Sequence, residues 1–370
     1  MRSRSSRYNL FTMMNATSPS PRMPSPTSFA SIAVVVGRDL VGDALMKLPF
    51  LRALRHAFPQ ARIHWVTSEG PTAYAGVLRS STSALIDATH ECPNWISRSG
   101  RGVTAAKPTE QAPHFDLLID TRNRWRLALQ ARREIPHRVF LAMALRGWLS
   151  DRLPFPRFIF RKKPAHLVDK LLRLVELAAQ GPVDSGGALP TPESFRTLLR
   201  QRLMPVGKIY VGLAPGAGNP VKIWPLPQIE KLAAAQVAKG RQVVFILGPE
   251  ELKIYDALVA AFPSAIFPLQ DDGAWDCAKL TIEHTLAVAS LLDVAVANDS
   301  GVGHMIAAVD CPLISLFGPT SPEKLAPRVT RSRVIAAQSY GSSDMRAIPW
   351  QDVDLAIDGM LEEIRASKGS

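Results

Sequence analysis

Two hydrophobic patterns alternate along this chain. Short, strand-sized apolar runs are followed by longer segments in which apolar residues recur every three or four positions. The first run, Ile32-Ala33-Val34-Val35-Val36, predicts a buried strand. A turn over 37–43 leads to a helix over 44–58, with Leu45, Leu48, Leu51, Leu54 and Phe58 on one face and Pro59 closing it. Strands are predicted at 62–67 and 114–120, the second ending in Asp120 and Thr121. Residues 166–180 read as a strongly periodic helix, through Leu167, Leu171, Leu174 and Leu177.

Residues 181–192, rich in Gly, Pro and Ser, read as a linker, and a helix over 194–203 follows. The alternation then restarts: strand 208–214, a loop over 215–225, helix 228–239, strand 242–247 and Gly248-Pro249-Glu250-Glu251. Over 293–320 an apolar run stops at Asn298-Asp299-Ser300-Gly301. A short helix through Met305, Ile306, Ala307 and Ala308 follows, then a second run over 313–317 that ends in Gly318-Pro319-Thr320. A terminal amphipathic helix over 352–365 carries Val353, Ile357, Met360, Leu361 and Ile364 on one face.

Repeated strand–helix–strand units predict an α/β protein of two Rossmann-like halves that aim their strand ends into a central cleft. The expected divisions are a leader over 1–30, a first domain over 31–185, a linker and connecting helix over 186–205 and a second domain over 206–340. The terminal helix, within 350–367, is expected to pack back on the first domain.

Composition narrows this picture. At 370 residues, 46% hydrophobic and 21% charged, the chain suits a globular protein with two cores. No apolar run approaches the roughly 20 residues that span a bilayer. Three scattered cysteines without a CxxC suggest a reducing compartment and no structural metal site. The leader holds Arg2, Arg4, Arg7 and Arg22, many Ser and Pro and no acid, the composition of a disordered segment. An import signal shares that composition, and Met13, Met14 and Met23 are alternative starts. Residues 1–170 carry 26 Lys/Arg against 11 Asp/Glu, whereas the remainder carries 18 against 21. A basic first half points to an anionic partner.

The candidate chemistry lies where predicted strands end. Asp299, Ser300, Gly301 and His304 open a helix at a strand's carboxyl end, where free N–H groups and the helix dipole favour a phosphate. A helix cap needs only one polar residue, and this turn supplies several. Gly42-Asp43 sits at the first strand-to-helix junction, where a first-turn acid is the simpler alternative. The small residues Gly216, Ala217 and Gly218 expose backbone N–H groups, and Lys222 follows to neutralise a pyrophosphate. This loop is neither a GxGxxG fingerprint nor a Walker A motif: the third glycine is missing, and no Ser/Thr follows the lysine. Arg122, Arg124, Arg126, Arg132, Arg133 and Arg138, with Trp125 among them, follow the strand that ends at Asp120. Arg161-Lys162-Lys163 extend the basic character. A solvated helix face and an anion contact both explain such a run, and without a recognised reading motif it does not predict nucleic-acid binding.

Gly42-Asp43, HFDLLIDTRNRWR at 114–126, PGAGNPVKIWP at 215–225, LGPEE at 247–251, and NDSGVGHMIAA at 298–308 with LFGPTSP at 316–322 together resemble glycosyltransferase family 9, the lipopolysaccharide heptosyltransferases. The resemblance implies a GT-B fold, an N-terminal acceptor domain and a C-terminal nucleotide-sugar domain. It also implies inverting, metal-independent transfer of heptose from ADP-heptose to an anionic, lipid-linked inner-core acceptor. On that basis Asp43 would be the general base and Lys222 would contact the diphosphate or sugar. Glu250 would lie near the nucleoside, Asp299 at the sugar hydroxyls, and Ser300, Gly301 and His304 around the phosphates. Gly42, Asp120, Arg122 and Arg124 are the acceptor-side candidates. No cofactor or metal is expected, and the protein would work in the cytoplasm, peripherally at the inner membrane face. Departures are Ile223, where many members have Arg, Ala217 and Gly218 where some have hydroxyl residues, and a stretch over 339–345 without cysteines. A transferase using another nucleotide sugar and a non-catalytic nucleotide-sugar-binding protein are the alternatives.

Overall fold

A computed structural model of the chain describes residues 29–97, 108–151 and 166–369. Most of the expected leader and the Arg161-Lys162-Lys163 run lie outside the described residues. In chain order the elements of the first half are β1 (Ser31–Val36), α1 (Val41–Ala57), β2 (Arg62–Thr67), α2 (Arg79–Thr82), β3 (Ala88–Glu91), β4 (Phe115–Asp120), α3 (Trp125–Glu134), β5 (His137–Ala142) and α4 (Leu167–Ala179). After α5 (Glu193–Arg202) come β6 (Tyr210–Ala214), α6 (Leu226–Ala238), β7 (Gln242–Phe245), α7 (Tyr255–Ala261), α8 (Ile282–Ala289) and β8 (Val294–Asn298). The chain ends with α9 (Gly301–Ala308), β9 (Leu313–Phe317), α10 (Pro322–Leu325), β10 (Ser332–Ala336) and α11 (Trp350–Gly369).

Among the described residues ten strands form two parallel five-stranded sheets, ordered β3-β2-β1-β4-β5 and β10-β9-β8-β6-β7. The central strands β6, β8 and β9 are buried at every residue, and β1 at all but its first, because helices cover both faces of each sheet. In each sheet the strand order reverses beside the first strand: β1 lies between β2 and β4, and β6 lies between β7 and β8. Chain segments leaving neighbouring strands diverge there and open a crevice at their carboxyl ends. Register places the ends of β1 and β4 level (Val35 opposite Asp120) and likewise those of β6 and β8 (Ala214 opposite Ala297).

The two halves meet along α1 and α9, which pack against each other. Ala308 O, at the end of α9, accepts from Arg52 of α1 (2.7 Å) and from the Leu189 N–H of the connecting segment (2.7 Å). A carbonyl that α9 leaves unpaired is thereby satisfied by the opposite half. His166 adds a second tie. Its Nδ1 accepts from Val168 N–H to cap α4, while Nε2 lies 2.9 Å from Ala326 O.

Two expectations are corrected. The first helix begins at Val41, so Gly42 and Asp43 belong to its first turn rather than to the preceding loop. The terminal helix packs on the second sheet, against α6, β8 and β9, rather than on the first domain. Its apolar face explains this: Val353, Ile357, Met360 and Leu361 are buried in a cluster with Val294, Ile314 and Leu316.

Candidate active site

At the switch point of the second sheet, Asn298 organises the site. Its Nδ2 donates to Pro215 O (2.6 Å), and its Oδ1 accepts from Trp224 N–H (3.3 Å). One buried amide thus fastens both ends of the loop over 215–224 to the end of β8. Lys222, in a short turn capped by Asn219, is held between these anchors. Its Nζ donates to Asp299 Oδ2 (2.7 Å), which also accepts from Thr320 Oγ1 (2.7 Å). Strand ends far apart in sequence therefore converge on one carboxylate, which is 8% exposed.

Ser300 caps α9, accepting from Gly303 N–H (3.5 Å), and Gly301 is exposed at the helix start. A phosphate at this end would meet the positive end of the helix dipole and Lys222 together. Gly216 is buried and crowded: a Cβ there would lie 2.4 Å from the Glu251 carboxyl carbon. Glu251 also accepts from Gly248 N–H (3.0 Å). Of the two adjacent glutamates, the second reaches the Gly216 loop, while Glu250 is exposed. Ala217 is buried and Gly218 faces open space.

His304 is buried and lines the α1–α9 seam with Leu45, Met46 and Pro49. Burial pushes its pKa down to about 4; Asp299 pulls it up, while His166 and Lys222 lower it further. At neutral pH the imidazole is uncharged. Because the folded value lies below the unfolded one near 6.5, the unfolded chain binds the proton more readily between them. The stabilising effect is complete above about pH 6.5 and is lost as pH falls towards 4, on the order of 3 kcal/mol in full. Melting temperature should fall over that window, and less steeply in His304→Gln; equal slopes would contradict this account.

In the first half, Asp43 is exposed on the first turn of α1. Arg52, further along α1, reaches the end of α9, while Leu45 and Met46 line the same crevice as His304. Gly42 leaves this junction open, since a Cβ there would meet nothing within 4 Å. The acceptor-side candidates divide. Asp120 and Arg122 are buried and spent on each other: Arg122 Nη2 donates to Asp120 Oδ2 (2.5 Å), and Nη1 donates to Ser68 Oγ (3.0 Å). This pair holds the β4 loop and presents no charge to a ligand, which corrects the expectation for both. Arg124 is different, with its side chain 68% exposed and Glu69 at 3.5 Å. Trp125 is exposed beside it, with the Arg126 guanidinium 5.3 Å from its ring centre.

Sequence reasoning missed Thr320, Glu251 and a buried acid, Asp39, at the end of β1. Thr320 and Glu251 sit inside the quoted GPT and PEE stretches, so the motif was visible although the contact was not. Among the described residues there is no group of three or more His, Cys, Asp or Glu placed to hold a metal ion.

Two parallel sheets with carboxyl ends aimed at a shared cleft define a GT-B glycosyltransferase architecture. The chain belongs to glycosyltransferase family 9 (heptosyltransferase), whose model matches residues 110–348. Over 174 residues it is 34% identical to lipopolysaccharide heptosyltransferase 2 of Escherichia coli K12, a match spanning 42% of this chain and 46% of the relative. A match to the Salmonella typhimurium heptosyltransferase 2 is 35% identical and spans 34% of this chain and 35% of that relative. The chain thus covers less than half the length of these two relatives. Lipopolysaccharide heptosyltransferase 3 of E. coli K12 aligns more fully, at 24% identity over 87% of this chain and 96% of the relative. Among solved structures, a family 9 glycosyltransferase from Veillonella parvula superposes with a TM-score of 0.65 at 19% identity, covering 91% of this chain and 99% of that one. The E. coli heptosyltransferase WaaC with ADP gives 0.60 at 19% identity, covering 89% and 99%.

Proposed function

We propose that this chain is an inverting heptosyltransferase, moving heptose from ADP-heptose to an anionic, lipid-linked acceptor of the lipopolysaccharide inner core. The observation that carries the reading is the Lys222–Asp299 contact at the second switch point, 2.7 Å long and beside the start of α9. In this reading the donor diphosphate lies on the α9 N-terminus and Lys222, Asp299 binds sugar hydroxyls and the Gly216 loop approaches the nucleotide. Asp43 takes the proton of the acceptor hydroxyl as its oxygen bonds to the anomeric carbon. The bond from that carbon to the diphosphate breaks on the opposite face, and ADP departs with its charge relieved by Lys222 and the helix start. The acceptor meets Arg124, Trp125 and Arg126, exposed at the carboxyl end of β4, and the basic first half suits a membrane face carrying anionic lipid. No helix among the described residues is long and apolar enough to cross a bilayer, which fits peripheral attachment. Relatives named as lipopolysaccharide heptosyltransferases support the sugar and the acceptor class.

A thermal-shift screen of nucleotide sugars tests the donor. ADP-heptose and ADP should raise the melting temperature in a saturable way, because each binds only the native state. A shift with UDP-sugars and none with ADP-heptose would reassign the donor, and no shift with any nucleotide sugar would remove the transferase reading. The reading also includes no resident metal, since a lysine and a helix dipole carry the leaving charge. EDTA should leave turnover unchanged; activity lost to EDTA and restored by magnesium would assign that charge relief to a metal.

A further inference from the structure

We infer that the buried Asp39–Lys47 pair is a positioning device for Asp43, an assignment resting on the reading of Asp43 as the base. Asp39 follows β1 and is 1% exposed. Its Oδ1 accepts from Lys47 Nζ (2.6 Å), and its Oδ2 accepts from Trp65 Nε1 (2.8 Å) and Thr72 Oγ1 (2.9 Å). Lys47 is itself buried and donates to Asp43 O as well (3.0 Å). The next carbonyl, Ala44 O, accepts from the buried Tyr74 hydroxyl (2.6 Å). Tyr74 in turn packs edge-on against Trp65, with ring centres 5.0 Å apart.

Two consecutive carbonyls in the first turn of α1 are thus pinned by side chains, which is more than a helix start requires. The turn needs such support. Leu40 at the N-cap supplies no side-chain hydrogen bond, and Pro49 inside α1 removes an amide that would otherwise bond back to Leu45 O. Asp39 is anchored to β2 through Trp65 and to the following loop through Thr72. Through Lys47 it ties the backbone of Asp43, and with it the start of that exposed side chain, to the sheet. Lys47 and Asp39 touch no reacting atom in this arrangement; they act through the backbone of Asp43.

The test uses the full chain and four variants: Asp43→Asn, Asp39→Asn, Lys47→Met and the double Asp39→Asn/Lys47→Met. Melting temperature, the ADP dissociation constant and kcat for ADP release from ADP-heptose with a heptose-deficient lipopolysaccharide acceptor are measured for each. Lys47→Met should lower kcat about 10- to 100-fold, the effect of misplacing a reacting group by about an ångström. ADP affinity should stay within about twofold, as the pair lies outside the donor half. The double variant should recover melting temperature lost in either single variant, since no unpaired charge remains buried, yet keep the low kcat. Return of kcat to the native value in the double variant would show a role in stability alone and overturn the inference. So would native kcat in Lys47→Met alongside an inactive Asp43→Asn. An active Asp43→Asn would instead remove the base reading, and the positioning role with it.

Discussion

Asp43→Ala is expected to lower the proposed heptosyl transfer by about 10²–10⁴-fold, the range general base catalysis contributes, while leaving ADP affinity within about twofold. The expectation follows from placement. Asp43 is an exposed carboxylate on a fixed helical turn, and among the described residues it forms no ion pair. Its neighbours in the fold are treated differently: Asp39 and Asp120 at the ends of β1 and β4 are buried and bonded to Lys47 and Arg122. An acid that can accept a proton from an incoming alcohol must be reachable, and of these three only Asp43 is. Removing it deletes no buried contact, so melting temperature should hardly change. Single-turnover ADP release measured beside calorimetry separates the two quantities. Native turnover in the variant would end the assignment of Asp43 as base.

Lys222→Ala should weaken ADP binding by about 10- to 100-fold and destabilise the chain by about 1–3 kcal/mol, for two separable reasons. The lysine contributes positive charge where the diphosphate is proposed to lie. It also neutralises Asp299, whose carboxylate otherwise keeps, among the described residues, only the Thr320 hydroxyl in a site 8% exposed. The two causes part company in Lys222→Ala/Asp299→Asn. Stability should return there, because the unpaired buried charge is gone, whereas ADP affinity should not, because the cation is still missing. Recovered ADP affinity in the double variant would show that Lys222 acts only by holding Asp299. Unchanged affinity in the single variant would take Lys222 out of the donor site.

Local pattern carried far in this protein. The run of β-branched and small residues over 32–36 and the alternation of strands with amphipathic helices are written in neighbouring residues, so β1, β2, β4, β6 and β8 were legible within a residue or two. The Asn298-Asp299-Ser300-Gly301 turn was legible as a polar junction because strand end, helix start and polar cluster coincide in a few positions, and the structure places β8, α9 and the Lys222 contact there. Side-chain partnership was less legible. Asp120 and Arg122, two residues apart behind a strand, read as an anion-facing pair, yet burial turned them on each other. His304 read as part of a local helix start, yet its burial depends on a crevice it shares with α1 of the opposite half. Asp39 went unmarked within the predicted turn over 37–43 because its partners Trp65 and Thr72 lie on β2 and the loop after it.

The order of apolar runs and helical periods by itself determined two α/β halves, the strand ends available to a ligand and the residue types gathered there. Tertiary structure alone decided which charges stay available: it joined Lys222 to Asp299 across 77 positions, withdrew Asp120 and Arg122 into the interior and seated α11 on the second sheet. The physical reason is range. A backbone's preference for strand or helix depends on side chains a few positions away, whereas the fate of a charge depends on the solvent and partners that folding brings or removes.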